Sequence, residues 1–93
     1  MINSFRSGET EKISRRQFTP RFPANLTRLA QRKLALLDAA ERLADLRVPL
    51  GNHLEKLSGD RRGQYSIRIN DQWRICFRWS SGDAYDVEIV DYH

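Results

Sequence analysis

Two short stretches of the sequence hold the side chains best suited to chemistry. A predicted β-hairpin carries Arg68 and Arg74 on the same face of its two strands. The last three residues are Asp91, Tyr92 and His93. Two guanidiniums side by side repel each other, so an anionic ligand is one reason to place them together. The other interpretation is an outer face in water, where charged side chains are ordinary.

Arginine, tyrosine, aspartate and histidine suit metal-independent cleavage of RNA. A base deprotonates the 2′-hydroxyl, cations stabilise the charged transition state, and an acid protonates the departing 5′-oxygen. We expect Arg68 and Arg74 to hold the phosphate, and the base, acid and orienting groups to come from Asp91, Tyr92 and His93. The sequence has no metal-ligand cluster, phosphate-cradling glycine loop or Cys/His nucleophile motif, so we expect neither metal nor cofactor.

The basic side chains are unevenly distributed along the chain. Residues 1–33 carry eight basic and two acidic side chains, residues 54–79 six and three, and residues 80–93 none and four. Such clustering favours a polyanion such as RNA, because phosphate contacts give sequence-independent attraction. Charge runs also commonly do no more than solvate a face, so charge alone does not decide between these interpretations.

Length and composition indicate a small protein. Ninety-three residues, 40% of them hydrophobic, leave room for one layer of helix on one sheet. The single cysteine, Cys76, cannot form an internal disulfide, and no hydrophobic run has the length of a signal peptide or membrane span. We therefore expect a single domain over residues 1–93, located in the cytoplasm, with no membrane partner.

The first half of the chain predicts one edge strand and two helices. Alternating residues from Ile2 to Phe5 predict the strand, and Glu9 to Phe18 predict a short basic helix that Thr19-Pro20 ends. From Pro23 to Leu46 apolar residues recur every three or four positions, which is typical of a helix packed on a core. Val48-Pro49 cannot continue this helix comfortably.

The second half predicts an antiparallel sheet. Tyr65 to Ile69 and Trp73 to Phe77 alternate apolar and polar residues around a three-residue turn, which places Arg68 opposite Arg74. A last strand around residues 85–89 is expected to pair with the strand that begins at Trp73. A register that keeps the apolar residues on one face places Phe77 beside Val87, Arg78 beside Asp86 and Arg74 beside Val90. Strand, helix, helix and three or four strands make an α+β domain.

The motifs of the second half resemble the HigB toxins. The segment from Leu54 to Gln64, the hairpin from Ser66 to Phe77 and the run Asp91-Tyr92-His93 carry the resemblance, which covers almost the whole chain. These toxins are the plasmid-maintenance killer proteins of bacterial toxin–antitoxin operons, within the RelE and ParE superfamily. The resemblance implies a RelE-like small domain with two N-terminal helices packed on one face of a mainly antiparallel sheet.

The resemblance also implies an activity and a set of site residues. HigB toxins look like ribosome-dependent endoribonucleases that cut mRNA in the decoding site, and the family residues implicated match Arg74, Asp91, Tyr92 and His93. In some members the loop before the hairpin carries a His and a Lys, where this chain has Glu55 and Ser58. We expect Glu55 to replace the His as a base, and the lost positive charge to come from Lys56, Arg61 or Arg62.

The resemblance implies partners, and it leaves two alternatives. The partners are a HigA-like helix-turn-helix antitoxin, the ribosome and mRNA, with operator DNA bound only through the antitoxin. A ParE-like protein that poisons DNA gyrase by binding is the first alternative, and the run Asp91-Tyr92-His93 argues against it. The second is a degenerate toxin that acts only through antitoxin binding and operon repression. Ser58 is the residue that favours the second alternative.

Overall fold

The fold is a four-stranded antiparallel sheet with two helices against one face. The computed structural model describes residues 1–91. In chain order the elements are α1 (Gly8–Ser14), α2 (Ala24–Ala39), β1 (Glu55–Lys56), β2 (Tyr65–Arg68), β3 (Trp73–Ser80) and β4 (Asp83–Asp91), with short 3₁₀ helices at Leu43–Arg47, Leu50–Asn52 and Gly59–Arg61. The strands lie in the order β1-β2-β3-β4. The predicted α+β class, with two N-terminal helices on one face of the sheet, is confirmed.

Helix α1 begins with a side-chain cap and ends earlier than its sequence predicts. The Ser7 hydroxyl accepts a hydrogen bond from the Thr10 amide at 3.3 Å, which satisfies an amide that has no partner within the helix. The predicted helix continued to Phe18, whereas α1 ends at Ser14. Arg16 takes the left-handed conformation, with φ of 61°, and this turns the chain away from the helix axis.

Helix α2 is also shorter than predicted, because the Asp45 carboxylate accepts hydrogen bonds from two backbone amides just beyond the end of the helix. The predicted helix continued to Leu46, but the Asp45 side chain accepts hydrogen bonds from the Glu41 and Arg42 amides at 3.1 and 3.0 Å. These bonds lower the pKa of Asp45. The chain continues as the 3₁₀ helix Leu43–Arg47, which still buries Leu46 in the core.

The predicted edge strand at the N-terminus is reduced to two isolated bridges. Ile2 pairs with Ala84 and Phe5 pairs with Val87, both in parallel with β4. The sheet is therefore antiparallel among its four strands and parallel where the first residues join its edge. This agrees with the expectation of a mainly antiparallel sheet.

The predicted hairpin register is confirmed. Arg68 is the Cα partner of Arg74 across β2 and β3, and Arg74 is the partner of Val90 across β3 and β4. The turn is fixed by the Asn70 side chain, whose Oδ1 accepts hydrogen bonds from the amides of Gln72 and Trp73, each at 2.9 Å. An asparagine that bonds two residues ahead stabilises a tight turn, which sets the register of the strands.

The register between β3 and β4 changes along their length. A bulge lies near Phe77, and beyond it Arg78 pairs with Tyr85, so the predicted pairing of Arg78 with Asp86 is wrong. Asp86 has φ of 53°, a left-handed conformation that inserts one extra residue into β4. The Nε of Arg78 nevertheless lies 3.5 Å from Oδ2 of Asp86, so the two charges still meet.

The core lies between the helices and the inner face of the sheet. Leu37 of α2 and Ile75 and Phe77 of β3 are fully buried in the same cluster. Trp73, at the start of β3, is half-buried and stacks edge-on against Phe22 at 5.4 Å between ring centroids. Successive side chains of a strand point to opposite faces, so Arg74 lies on the outer face.

Candidate active site

Arg74 is held in a fixed orientation on the outer face of the sheet. Only 6% of the residue is exposed. The interpretation of this face as an ordinary solvated surface is therefore wrong at Arg74. Its Nε donates to Oγ of Ser66 at 2.8 Å, and its Nη2 donates to the His53 carbonyl at 2.6 Å. A guanidinium oriented in advance can stabilise developing negative charge without reorganising during the reaction.

Glu55 lies beside this guanidinium. It belongs to the two-residue strand β1 and is the Cα partner of Ser66, so it occupies the same outer face as Arg74. Its Oε1 is 3.9 Å from Nη2 of Arg74, and half of its side chain is exposed. A carboxylate at the edge of a buried cation can accept a proton from a substrate that reaches it from solvent.

Arg68 is next to Arg74 in the sheet but has a carboxylate partner of its own. The two arginines are directly opposite each other across β2 and β3. The Arg68 guanidinium pairs with the Asp71 carboxylate in the hairpin turn, and about a third of the Arg68 side chain is exposed. The paired arginines expected from the sequence are present, in two environments: Arg74 is buried, and Arg68 faces the solvent at the hairpin.

The three other basic candidates lie in β1 or shortly after it. A depression of about 320 Å³ is lined by Glu55, Lys56, Leu57, Ser58, Asp60 and Arg61. Arg61 donates to Oε1 of Glu88 at 2.8 Å and to Oε1 of Gln64 at 3.1 Å, and its pKa is raised by the Glu88 bond. Lys56 and Arg62 are exposed. The structure thus brings Glu55, Lys56 and Arg61 around one depression, while Arg62 lies outside its lining.

Asp91 lies at the end of β4, next to the start of β3. Its Cα partner is Trp73, one position from the Arg74–Val90 pair, and its Oδ2 accepts a hydrogen bond from Nε2 of Gln72 at 3.1 Å. Successive positions of a strand alternate between the two faces of the sheet, so Asp91 is at a position of the same face as Trp73, and Arg74 is at a position of the opposite face. The predicted site residues Tyr92 and His93 lie outside the described residues.

Neither of the two groups that anchor Arg74 was among the predicted site residues. Ser66 is fully buried, and it lies on the same face of the neighbouring strand, diagonal to Arg74. That diagonal position is a signal the sequence does contain, because the hairpin register follows from the pattern. His53 contributes only its carbonyl, from a left-handed residue with φ of 43°, and no sequence pattern predicts this conformation for histidine.

Among residues 1–91, no group of three or more His, Cys, Asp or Glu side chains is arranged to hold a metal ion. No helix in this part of the chain is both long enough and apolar enough to cross a bilayer.

Cys76, on the outer face between Ser66 and Glu88, is fully buried, and burial raises the pKa of its thiol.

Comparison with known proteins identifies the family. The family of RelE-like toxins of the type II toxin–antitoxin system HigB matches residues 4–93. The chain belongs to this HigB-like toxin family. It is 45% identical over 62 residues to Toxin HigB-1 of Vibrio cholerae, and the match covers 67% of this chain and 65% of that protein. It is 32% identical to Endoribonuclease HigB of Proteus vulgaris over the full length of both chains.

The solved structures agree with this family at the level of the fold. The YoeB-YefM complex from Staphylococcus aureus contains a chain that superimposes with a TM-score of 0.61 at 20% identity, covering 100% of this chain and 98% of that one. A second structure, of the heterotetrameric YoeB-YefM toxin–antitoxin complex from the same organism, gives a TM-score of 0.60. The RelE-like fold expected from the sequence is therefore confirmed. The comparisons do not favour the gyrase-poisoning or degenerate-toxin alternatives.

Proposed function

We propose that this HigB-like toxin cleaves mRNA on the ribosome without a metal ion. The observation that carries the proposal is the buried, doubly anchored guanidinium of Arg74 with the Glu55 carboxylate at its exposed edge. The name of the Proteus vulgaris relative, an endoribonuclease aligned over its full length, supports the same class of reaction.

In the proposed reaction the substrate supplies its own nucleophile. The 2′-oxygen forms a bond to phosphorus while the bond from phosphorus to the 5′-oxygen breaks, leaving a 2′,3′-cyclic phosphate and a 5′-hydroxyl. Glu55 takes the proton of the 2′-hydroxyl, and Arg74 stabilises the negative charge that grows on the phosphate oxygens. Because Arg74 is already oriented by Ser66 and His53, its positive charge needs little rearrangement in the transition state.

We assign further roles to the remaining predicted residues. Arg68, Lys56, Arg61 and Arg62 bind the phosphates on either side of the cleaved bond. Of these, Lys56 and Arg62 are the more exposed, whereas the charge of Arg61 is largely balanced by Glu88. We assign the acid that protonates the 5′-oxygen, together with the group that orients it, to the run Asp91-Tyr92-His93.

The proposed partners are an antitoxin, the ribosome and mRNA. The solved neighbours are toxin–antitoxin complexes, which supports an antitoxin as partner of this chain too. We propose that this antitoxin is HigA-like, carries a helix-turn-helix domain, and binds operator DNA on behalf of the complex. The ribosome and mRNA complete the set, and they place the protein in the cytoplasm.

Cleavage with and without ribosomes tests the proposal. Purified protein is incubated with mRNA alone, with mRNA on ribosomes, and with ribosomes plus EDTA, and the RNA ends are mapped by primer extension. We expect new mRNA ends only with ribosomes. EDTA, added below the magnesium concentration so that the ribosome stays intact, removes transition metals and should leave these ends unchanged. Absence of new ends, together with inhibition of DNA gyrase, would replace this proposal with the gyrase-poisoning alternative.

A further inference from the structure

The loop between α1 and α2 holds an aromatic ring out in water. Phe18 is 86% exposed, although residues around it are anchored. The buried Thr19 hydroxyl donates to the Glu9 carboxylate, and the buried Phe22 packs edge-on against Trp73. The Gln17 amide, just before the ring, donates to the Lys12 carbonyl at 2.8 Å. The loop is therefore held on both sides of Phe18, and the exposure of the ring is a feature of the folded loop.

A cavity of about 300 Å³ lies against this ring, and we call it the Phe18 cavity. Its walls are mostly carbon and include Phe18, Pro20, Phe22 and Ala24, and its polar members are Gln17, Thr19 and Thr27. The cavity has room for one large apolar side chain. Exposed apolar surface next to a concave, largely apolar wall marks a binding site more often than a lone exposed ring does.

Two arginines are neighbours of residues that line the Phe18 cavity, and one carboxylate, that of Glu9, accepts a hydrogen bond from its Thr19. Residues 15–37 contain six basic side chains and no acidic one. Arg21 lies in the loop between Pro20 and Phe22, and Arg28 lies one helical turn after Ala24, on the same side of α2. Both arginines are exposed, and within residues 1–91 neither has a carboxylate oxygen within 4.0 Å. Arg21 is near enough to Glu9 to contribute to the lowered pKa of that carboxyl.

We infer that the Phe18 cavity and its basic surroundings bind an acidic, amphipathic segment of the antitoxin. One large apolar side chain of that segment fills the cavity, and its carboxylates pair with Arg21 and Arg28. The inference rests on the proposed function, which supplies the antitoxin. Charge complementarity favours an acidic protein segment, and the carbon walls of the cavity favour an apolar side chain over the polar edges of a nucleotide base.

The test measures the affinity of the antitoxin encoded beside this chain for matched variants. Phe18→Ala removes the exposed ring, and we expect at least about tenfold weaker binding. The double variant Arg21→Glu, Arg28→Glu should also bind the antitoxin more weakly than the parent does. Its loss of affinity should be larger at low salt than at high salt, because salt screens exposed charges. Leu50→Ala removes an equally exposed apolar side chain from a different part of the surface, and should bind as the parent does.

Readouts of folding and cleavage separate the possible outcomes. Phe18→Ala should melt at the parental temperature and cleave mRNA at the parental rate, because the ring is not part of the core or the proposed active site. Parental antitoxin affinity in Phe18→Ala overturns the inference. Unchanged antitoxin affinity with weaker ribosome-dependent cleavage also overturns it, and assigns the surface to RNA.

Failure of the proposed function gives a different pattern. A parent protein that binds the antitoxin through Phe18 but cleaves no mRNA supports the docking surface while it overturns the proposed cleavage. A parent that cleaves mRNA but does not bind the antitoxin overturns the docking surface and leaves the cleavage supported.

Discussion

The guanidinium of Arg74 is tied to the hydroxyl of Ser66 by a 2.8 Å hydrogen bond between neighbouring strands. Both residues are buried on the outer face of the sheet, and the His53 carbonyl closes over the other end of the guanidinium at 2.6 Å. Arg74 is therefore part of the structure as well as a candidate for catalysis. Experiments on it have to separate these two roles.

Arg74→Ala should lower mRNA cleavage by about 10² or more, as loss of a preorganised transition-state donor does. It should also lower the free energy of unfolding by about 1 to 3 kcal/mol, because Ser66 and the His53 carbonyl lose a buried partner. The position of Arg74 on the polar side of its strand, taken alone, predicts that the variant keeps its full stability. The burial of Arg74 predicts a loss of stability instead. Cleavage rates are therefore compared at a temperature where circular dichroism shows both proteins fully folded.

Two further variants serve as references for Arg74→Ala. Arg78→Ala removes a cation from the same strand, one that is exposed and lies 3.5 Å from Asp86, and it should cleave nearly as fast as the parent. Ser66→Ala keeps the guanidinium but removes one anchor, so it should cause a smaller loss of cleavage than Arg74→Ala. Parental cleavage by folded Arg74→Ala would remove this residue from the proposed mechanism.

Glu55→Gln tests the proposed base. The variant keeps the size of the side chain but cannot take a proton, so cleavage should fall by about 10². Stability should change little, because half of the Glu55 side chain is exposed. Glu55→His should retain most of the activity, since a neutral imidazole is also a base near neutral pH. Equal single-turnover rates on ribosomes for the parent and Glu55→Gln would exclude Glu55 as the base.

Leu37→Ala tests the core that supports the site. Leu37 is fully buried between α2 and the sheet, so its truncation should lower the free energy of unfolding by about 2 to 5 kcal/mol. That is a large part of the stability of a small domain. Leu36→Ala, on the neighbouring and partly exposed position of the same helix, should cost less. Urea unfolding measures both, and a parental midpoint for Leu37→Ala would place this leucine outside the core.

The hairpin was predictable because local rules determine it. Alternation and the Asn70 turn set the register, so the pairs Arg68–Arg74 and Arg74–Val90 follow from the sequence. The burial of Arg74 does not follow, because it depends on the segment around His53, which is distant in sequence and has no periodic pattern. Local alternation indicates which face a side chain occupies, and it leaves open whether another segment covers that face.

The helix ends and the bulge were missed for a similar reason. Apolar spacing continues from Ala24 to Leu46, and Leu46 is buried as the spacing predicts. The helix nevertheless ends at Ala39, because the Asp45 carboxylate competes for two backbone amides. The left-handed conformation of Asp86, which shifts the register of β4, is likewise a single-residue event that a period-two pattern cannot show.

Glu9 gives a prediction about acid stability. The hydrogen bond from the Thr19 hydroxyl lowers the pKa of Glu9 below its ordinary value of 4.5 in the folded chain. As the pH falls below that value the unfolded chain binds the proton first, so the contribution of Glu9 to stability is lost on acidification. Glu9→Gln keeps an acceptor for Thr19 but does not titrate, so it should lose less stability than the parent between about pH 6 and pH 3.

The control for this prediction is Glu41→Gln, which makes the same change of charge at an exposed residue whose side chain does not contact Thr19. Its stability should follow the parental dependence on pH. Urea midpoints measured at several pH values compare the three proteins. If the curves of the parent and Glu9→Gln run parallel down to pH 3, the carboxylate of Glu9 does not stabilise this loop.

The end of β4 gives the last prediction. Asp91 pairs with Trp73, and Val90 pairs with Arg74, so the described part of β4 ends one residue beyond the backbone of Arg74. Two residues of extended chain span at most about 7 Å, and we predict that Tyr92 and His93 act on the substrate that we propose to bind at Arg74.

A variant that stops at Asp91 should therefore lose ribosome-dependent cleavage and growth inhibition, while its thermal melt and antitoxin binding stay close to parental. Residues at the end of a strand that serve only packing tolerate removal, because few contacts depend on them. His93→Ala and Tyr92→Phe, measured beside the truncated variant by primer extension, show which side chain carries the effect. If a folded protein without Tyr92 and His93 still cleaves mRNA, the acid is a different residue. The next candidates are then the residues that line the depression beside Glu55.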